Sequence, residues 1–176
     1  MKATDVLQEE HRMIEKVLGS LDEIVRREQW GQFEKGLTFL KMFADKCHHA
    51  KEEQCLFPML EAKGFSKQEG PVGVMLSEHD RGRGYLREME KMCRAVQGGD
   101  RRALAALTDY TQAYIQLLKT HILKEDECLF SMADLVLNEA DQKKLLGLFE
   151  TMENEKIPAG THELCLKIAE ELCHAF

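Results

Sequence analysis

A chain of 176 residues suits one domain, and a globule of that size buries roughly 70% of the surface its unfolded chain exposes. Charged residues make up 31% of it and the formal net charge is -7, with acidic and basic residues interleaved, which argues against a nucleic-acid partner and for an ordinary soluble protein. Met1-Lys2-Ala3-Thr4-Asp5-Val6 has no apolar run resembling an export signal, no stretch approaches the ~18 apolar residues of a membrane span, and the six cysteines form no CxxC pair; the expectation is a cytoplasmic protein with reduced thiols and no membrane partner.

From Asp5 to about Arg27, Leu7, Ile14, Leu18, Leu21 and Val25 recur at helical spacing, predicting an amphipathic helix with His11 on its apolar stripe. Trp30-Gly31 breaks the pattern. A second helix is expected from about Gln32 to Leu60, with Leu37, Ala44 and Cys55 on the face of His48 and Glu52, and with Pro58 kinking it or ending it near Phe57. Gly64 and Gly70-Pro71 make the next connection, after which Val72, Leu76, His79, Leu86 and Cys93 line a third helical face. Gly98-Gly99 stops that helix, and Asp100 is the expected N-cap of a fourth, running to about Val136 with Leu104, Leu107, Tyr114, Leu118 and Cys128 inward.

Four long helices with short loops predict an all-α, antiparallel up-down four-helix bundle over about residues 5–136, within a single domain. A fifth helix is expected from Asn138 to about Glu155. Pro158-Ala159-Gly160-Thr161 then reads as a break and N-cap before a sixth helix ending near Phe176, so residues 138–176 form a C-terminal helical extension. Alternating strand character is lacking, and no sheet is expected.

Two stretches repeat: Lys51-Glu52-Glu53-Gln54-Cys55-Leu56-Phe57 and Lys124-Glu125-Asp126-Glu127-Cys128-Leu129-Phe130. His48 stands four residues before Glu52, and His121 four before Glu125, so each copy projects an imidazole and a carboxylate from one helical face. In an antiparallel hairpin, residues equidistant from the turn lie at one height. The midpoint of His11 and His48 falls between Gln29 and Trp30, that of His48 and His79 between Lys63 and Gly64, and that of His79 and His121 at Asp100, all at predicted turns. The four histidines are therefore expected in one layer, with Glu52 and Glu125 about one turn away. Four buried imidazoles and two carboxylates are costly to desolvate unless something ties them together. A mixed nitrogen and oxygen set suits iron, manganese or zinc, and two carboxylates able to bridge suit two metals better than one.

These residues resemble the hemerythrin-like, HHE cation-binding family, whose motif is EH on the first and third helices and HxxxE on the second and fourth. Here it stands as Glu10-His11, His48 to Glu52, Glu78-His79 and His121 to Glu125, over roughly residues 5–136. The resemblance implies a bundle holding an oxo- or hydroxo-bridged di-iron centre, its ligands His11, His48, Glu52, His79, His121 and Glu125. Oxygen-carrying members have a second histidine on the third helix, four residues after the first; here that place is Arg83. With four histidines the site is similar to a more symmetric branch associated with oxygen, nitric oxide or peroxide responses and with iron-sulfur cluster repair, in which both irons are expected to be open.

Two rivals compete for ligand roles. His49 and Glu53 form another i, i+4 pair, but in the repeat His49 aligns with Ile122, so His49 is expected in solvent or behind the ligands. Asp126 stands five residues after His121, where oxygen carriers have an aspartate; Glu125 is preferred because it mirrors Glu52, with Asp126 accepting a hydrogen bond from a ligand. Cys55 and Cys128 are expected on the inner face as core filler, Tyr110 and Tyr114 as packing, and His162 and His174 outside the layer. The functional expectation is a non-haem di-iron protein that binds or reacts with oxygen, peroxide or nitric oxide in a sensing, storage or detoxifying role. The alternatives are a di-iron enzyme (peroxidase, nitric oxide reductase or cluster-repair type) and an iron storage or delivery protein.

Overall fold

A computed structural model describes residues 1–156, 158 and 160–174. The described residues are all-helical, and no strand occurs among them. We number six rods: α1 (Ala3–Arg26), α2 (residues 30–62), α3 (Pro71–Gln97), α4 (residues 103–136), α5 (Glu139–Lys156) and α6 (Thr161–Cys173). No helix among the described residues is long and apolar enough to cross a membrane.

Several rods start where local chemistry accounts for the unpaired N–H groups of a helix head. The Asp5 carboxylate accepts the Lys2 N–H at 2.6 Å at the head of α1, and Pro71 opens α3 where a missing N–H costs nothing. Asn138 and Asp141 exchange reciprocal bonds at the head of α5. Asp100 does not cap α4 directly: its Oδ1 accepts the Arg102 N–H at 3.0 Å, so it caps the turn and the helix begins at Ala103. Gly99 supplies the φ of +97° that this turn requires. The first turn puts Glu28 at φ +54°, roughly 1–2 kcal/mol of strain for a residue with a Cβ. Arg101 of the α3–α4 turn holds its carboxylate through two bonds of 2.6 and 2.7 Å.

α2 departs most from expectation. It begins at Trp30 rather than Gln32, and Pro58 neither ends nor breaks it. Two stretches, Leu40–His49 and Glu52–Leu56, are π-helical, and the rod returns to α-helix at Phe57–Ala62. A proline interrupts an α-helix by removing an N–H and crowding the carbonyl four residues back. Here it falls in the first turn after a π segment, where the bonding pattern is changing register. α4 carries the matching π segment, Glu125–Leu129, before α-helix resumes at Phe130–Val136. The sixth helix was expected to end near Phe176, which lies outside the described residues, as does Ala159.

α1 packs on α2 and α4, and α3 packs on α2 and α4. The extension covers one side, with α5 against α1 and α2 and α6 against α1 and α2. Two apolar clusters form. One gathers Ile14, Leu18, Leu21, Phe33, Leu86, Leu118 and Leu172; the other gathers Leu7, Leu56, Phe57, Met75, Phe130 and Phe149. Between them lies a buried polar layer.

Candidate metal centre

Each of the first four rods brings one imidazole to that layer. His11, His48, His79 and His121 are buried to 1% exposure or less, and Glu52 and Glu125 are at 0%. All six sequence-predicted ligands therefore come together. Glu52 lies between the halves, its Oε1 at 3.6 Å from His48 Nε2 and its Oε2 at 3.4 Å from His79 Nε2. Glu125 Oε2 is 3.2 Å from His11 Nε2 and 3.3 Å from His121 Nε2.

The other ring nitrogens are held by a ring of carboxylates. His48 Nδ1 meets Glu10 Oε2 at 2.9 Å, His79 Nδ1 meets Glu53 Oε1 at 2.7 Å, His121 Nδ1 meets Glu78 Oε2 at 3.1 Å, and His11 Nδ1 meets Asp126 Oδ1 at 2.7 Å. An ionised carboxylate only accepts, so each Nδ1 carries a proton and each Nε2 is left to face the centre, its lone pair free for a metal once any second proton is lost. The rods are linked in order: α1 holds the imidazole of α2, α2 that of α3, α3 that of α4, and α4 that of α1. Each carboxylate also pairs with a cation from the rod it serves: Glu10 with Lys51, Glu53 with Arg83 (2.7 Å), Glu78 with Lys124 and Asp126 with Arg12.

Helical geometry explains the adjacency of these roles in sequence. Successive residues are about 100° apart around a helix, so in Glu10-His11 and Glu78-His79 the histidine points inward while the glutamate reaches the neighbouring rod. In Lys51-Glu52-Glu53 and Lys124-Glu125-Asp126 the three side chains take three directions: a cation for the preceding rod's carboxylate, a carboxylate for the centre, and a carboxylate for the next imidazole. The expected hydrogen bond from a ligand to Asp126 is present. The roles of Glu10, Glu78, Lys51 and Lys124 were not foreseen, although each of these residues recurs in both halves.

What remains inside is unsatisfied. His11 Nε2, His48 Nε2 and all four oxygens of Glu52 and Glu125 are buried without a hydrogen bond. His79 Nε2 and His121 Nε2 stand 3.1 Å apart. That distance suits a hydrogen bond when one of the rings carries a second proton, and a shared ion when neither does. Two imidazole nitrogens at about 2.1 Å from a shared ion, meeting at a right angle, stand about 3 Å apart. Buried carboxylates cost several kcal/mol each unless a proton on the facing ring nitrogen or a metal ion compensates them, so the donor set fits cations.

His49 corrects the sequence reading. It is buried, its ring stacks on that of His79 at 3.9 Å between centroids, and it shares a potential ligand cluster with Glu52, His79 and His121; His11, His48, Glu52 and Glu125 form the other cluster. The π-helical run Leu40–His49 is the reason. A wider turn reduces the rotation per residue, so His48 and His49 both face the layer. Cys128 is a second correction, being exposed while Cys55 is buried. α5 packs on the π stretch that holds Cys55, and the outer face at Cys128 has no such cover.

Charge in the layer is balanced locally. Burial pushes His11 and His121 down, but the adjacent carboxylates outweigh it: Asp126 and Glu125 hold His11 at about 9, and Glu125 and Glu78 hold His121 at about 10. Burial raises Glu125, yet His121 and His11 keep it well below the usual carboxylate range. Glu78 is held at about 2, chiefly by its bond to His121. His49 is driven the other way, first by burial and then by the surrounding imidazoles, and stays neutral.

Other candidates do not converge. Glu10, Cys47 and Glu153 lie close enough to share an ion, but the Lys51 ammonium already bonds both glutamates and burial pushes the Cys47 thiol up to about 12. Tyr114 is core packing, His162 lies beside Phe43 and His174 is exposed.

A sequence profile of the Hemerythrin HHE cation binding domain matches residues 2–133. Uncharacterized proteins of Mycobacterium tuberculosis and Mycobacterium bovis are 25% identical over 175 residues, covering 96% of this chain and 68% of theirs. A stretch of 49 residues is 49% identical to the iron-sulfur cluster repair protein YtfE of Escherichia coli, covering 26% of this chain and 22% of that protein. No solved structure matches the chain.

Proposed function

The chain belongs to the hemerythrin HHE cation-binding family, and from that premise we propose that α1–α4 form an antiparallel up-down four-helix bundle around two iron ions, held by His11, His48, Glu52, His79, His121 and Glu125. The supporting observation is the convergence of unsatisfied Nε2 and carboxylate oxygens in a sealed layer. Nitrogen and oxygen donors without a thiolate suit iron better than structural zinc. Glu52 and Glu125 each face one imidazole from either half, so both would be the carboxylates shared between two ions.

When bound, the ions supply redox chemistry and open positions for a small diatomic or peroxide ligand. The chain's own residues fix where that happens. The carboxylate ring sets the imidazole tautomers, and the apolar clusters on either side keep water from the layer. We assign a sensing, storage or detoxifying role toward oxygen, peroxide or nitric oxide. A second reading, repair of iron-sulfur clusters, is favoured by the 49-residue likeness to YtfE.

Metal analysis tests the first reading. About two irons per chain are expected, since each half of the repeat offers an imidazole-carboxylate pair. One tightly held zinc and no iron would sink it. The reduced protein should then be oxidised by oxygen or peroxide within minutes and take up nitric oxide. Inertness to all three favours storage, while restored activity of an iron-depleted iron-sulfur protein on mixing favours repair.

A further inference from the structure

The layer holds one imidazole more than the internal repeat accounts for. His49 aligns with Ile122 in the other half, so the second half has no counterpart. The other four imidazoles each have a carboxylate on Nδ1; His49 has none. Its Nδ1 is buried without a hydrogen bond. The nearest acceptor, Asp45 Oδ1, is 3.5 Å away and is engaged by Arg83 Nε at 2.7 Å. A histidine retained for packing ordinarily finds a partner for its buried nitrogens.

α3 cannot supply a further donor here, because Arg83 turns to Glu53 and Asp45. α2 can. One donor atom from each of His49, Glu52, His79 and His121 lies within 4.8 Å of the others, and the same holds for His11, His48, Glu52 and Glu125. The first set has three imidazoles and the second has two.

We propose that His49 is a third imidazole ligand at the metal position shared by His79 and His121, which makes the two positions of the centre inequivalent. This rests on the two-metal reading above. The position beside His11 and His48 then has one imidazole fewer and is where an exogenous anion enters. The expectation that both positions are equally open, drawn from four histidines and Arg83, gives way to a centre closed on one side.

The test compares the wild-type protein with His49→Ala and His49→Gln, each loaded with iron-57 and examined by Mössbauer spectroscopy, with azide as the anion probe. The wild type should show two doublets of equal area and take up about one azide per centre. In both variants iron should stay near two per chain, one doublet should move while the other stays, and azide uptake should rise about twofold; free imidazole should reverse both changes. A role confined to stacking on His79 predicts neither the single-doublet shift nor rescue by imidazole.

Two irons giving one doublet in the wild type overturn the proposal and leave the two-metal reading standing. Variant spectra superimposable on the wild type do the same, and this arm needs only that the variants fold. A wild-type protein that holds no iron overturns both.

Discussion

At the scale of single residues, the centre depends on side chains that never face it. Asp126 has no place among the inward donors, yet it fixes the proton on His11 Nδ1 and is itself held by Arg12. Groups that orient a ligand imidazole typically contribute 10–100-fold in metal affinity. Asp126→Ala should therefore weaken metal binding by about that factor while leaving helicity intact, and Asp126→Asn should lose less; competition with a chelator measures both. An unchanged affinity for Asp126→Ala would show that packing against Phe130, 5.5 Å away between ring centroids, orients His11 instead. Glu52→Ala and Glu125→Ala should differ in kind, each disturbing both ions. A spectrum in which one ion is lost and the other unperturbed would make that carboxylate a terminal ligand.

At the scale of elements, the decisive feature is the π-helical turn. The rods and their turns were legible in the sequence, because apolar spacing and glycine-rich breaks set helices and connections regardless of detail, and the histidine midpoints fell at turns that exist. Of the six inward donors, His48, Glu52, His121 and Glu125 followed from the repeat, and His11 and His79 from the turn midpoints. His49 was misread because a π turn has no residue signature; it changes the angle per residue, and an i, i+4 argument assumes that angle. Cys128 was misread because a repeat shared by both halves does not show that α5 covers only the segment of Cys55. The carboxylate ring was hidden for a related reason, since a contact between rods depends on the rotation of both. Deleting Gln54 from the Glu52–Leu56 segment should convert it to α-helix; losing one residue removes about 100° of rotation and the tighter turn restores nearly all of it, so Phe57 stays in register with His48 and His49. We expect circular dichroism close to wild type with most of the bound metal kept. Loss of the metal would mean that the wider turn itself places Glu52 and Glu53.

At the scale of the whole molecule, titration of the metal-free protein follows from groups that oppose one another. Glu10, Glu53, Glu78 and Glu125 have lowered pKa values, so their contribution is present above the unfolded value of 4.5 and lost as pH falls. His49, kept neutral, likewise contributes fully only above 6.5. His11 and His121 are raised, so their contribution is present below 6.5 and lost as pH rises through about 9 and about 10. Urea midpoints of the metal-free form should peak near pH 6.5. In the loaded form the alkaline decline should shrink, because a metal-bound nitrogen holds no proton and metal affinity rises with pH. A metal-free profile flat from 6.5 to 10 would show that the imidazoles are neutral throughout. The ring also has a consequence in time. A chain made from its N-terminus completes the pair Glu10 with His48 early and the pair Glu78 with His121 later, but His11 has no orienting carboxylate until Asp126 has emerged. An incomplete chain thus offers a cation only disconnected donors, and capture waits for the segment that closes the circle.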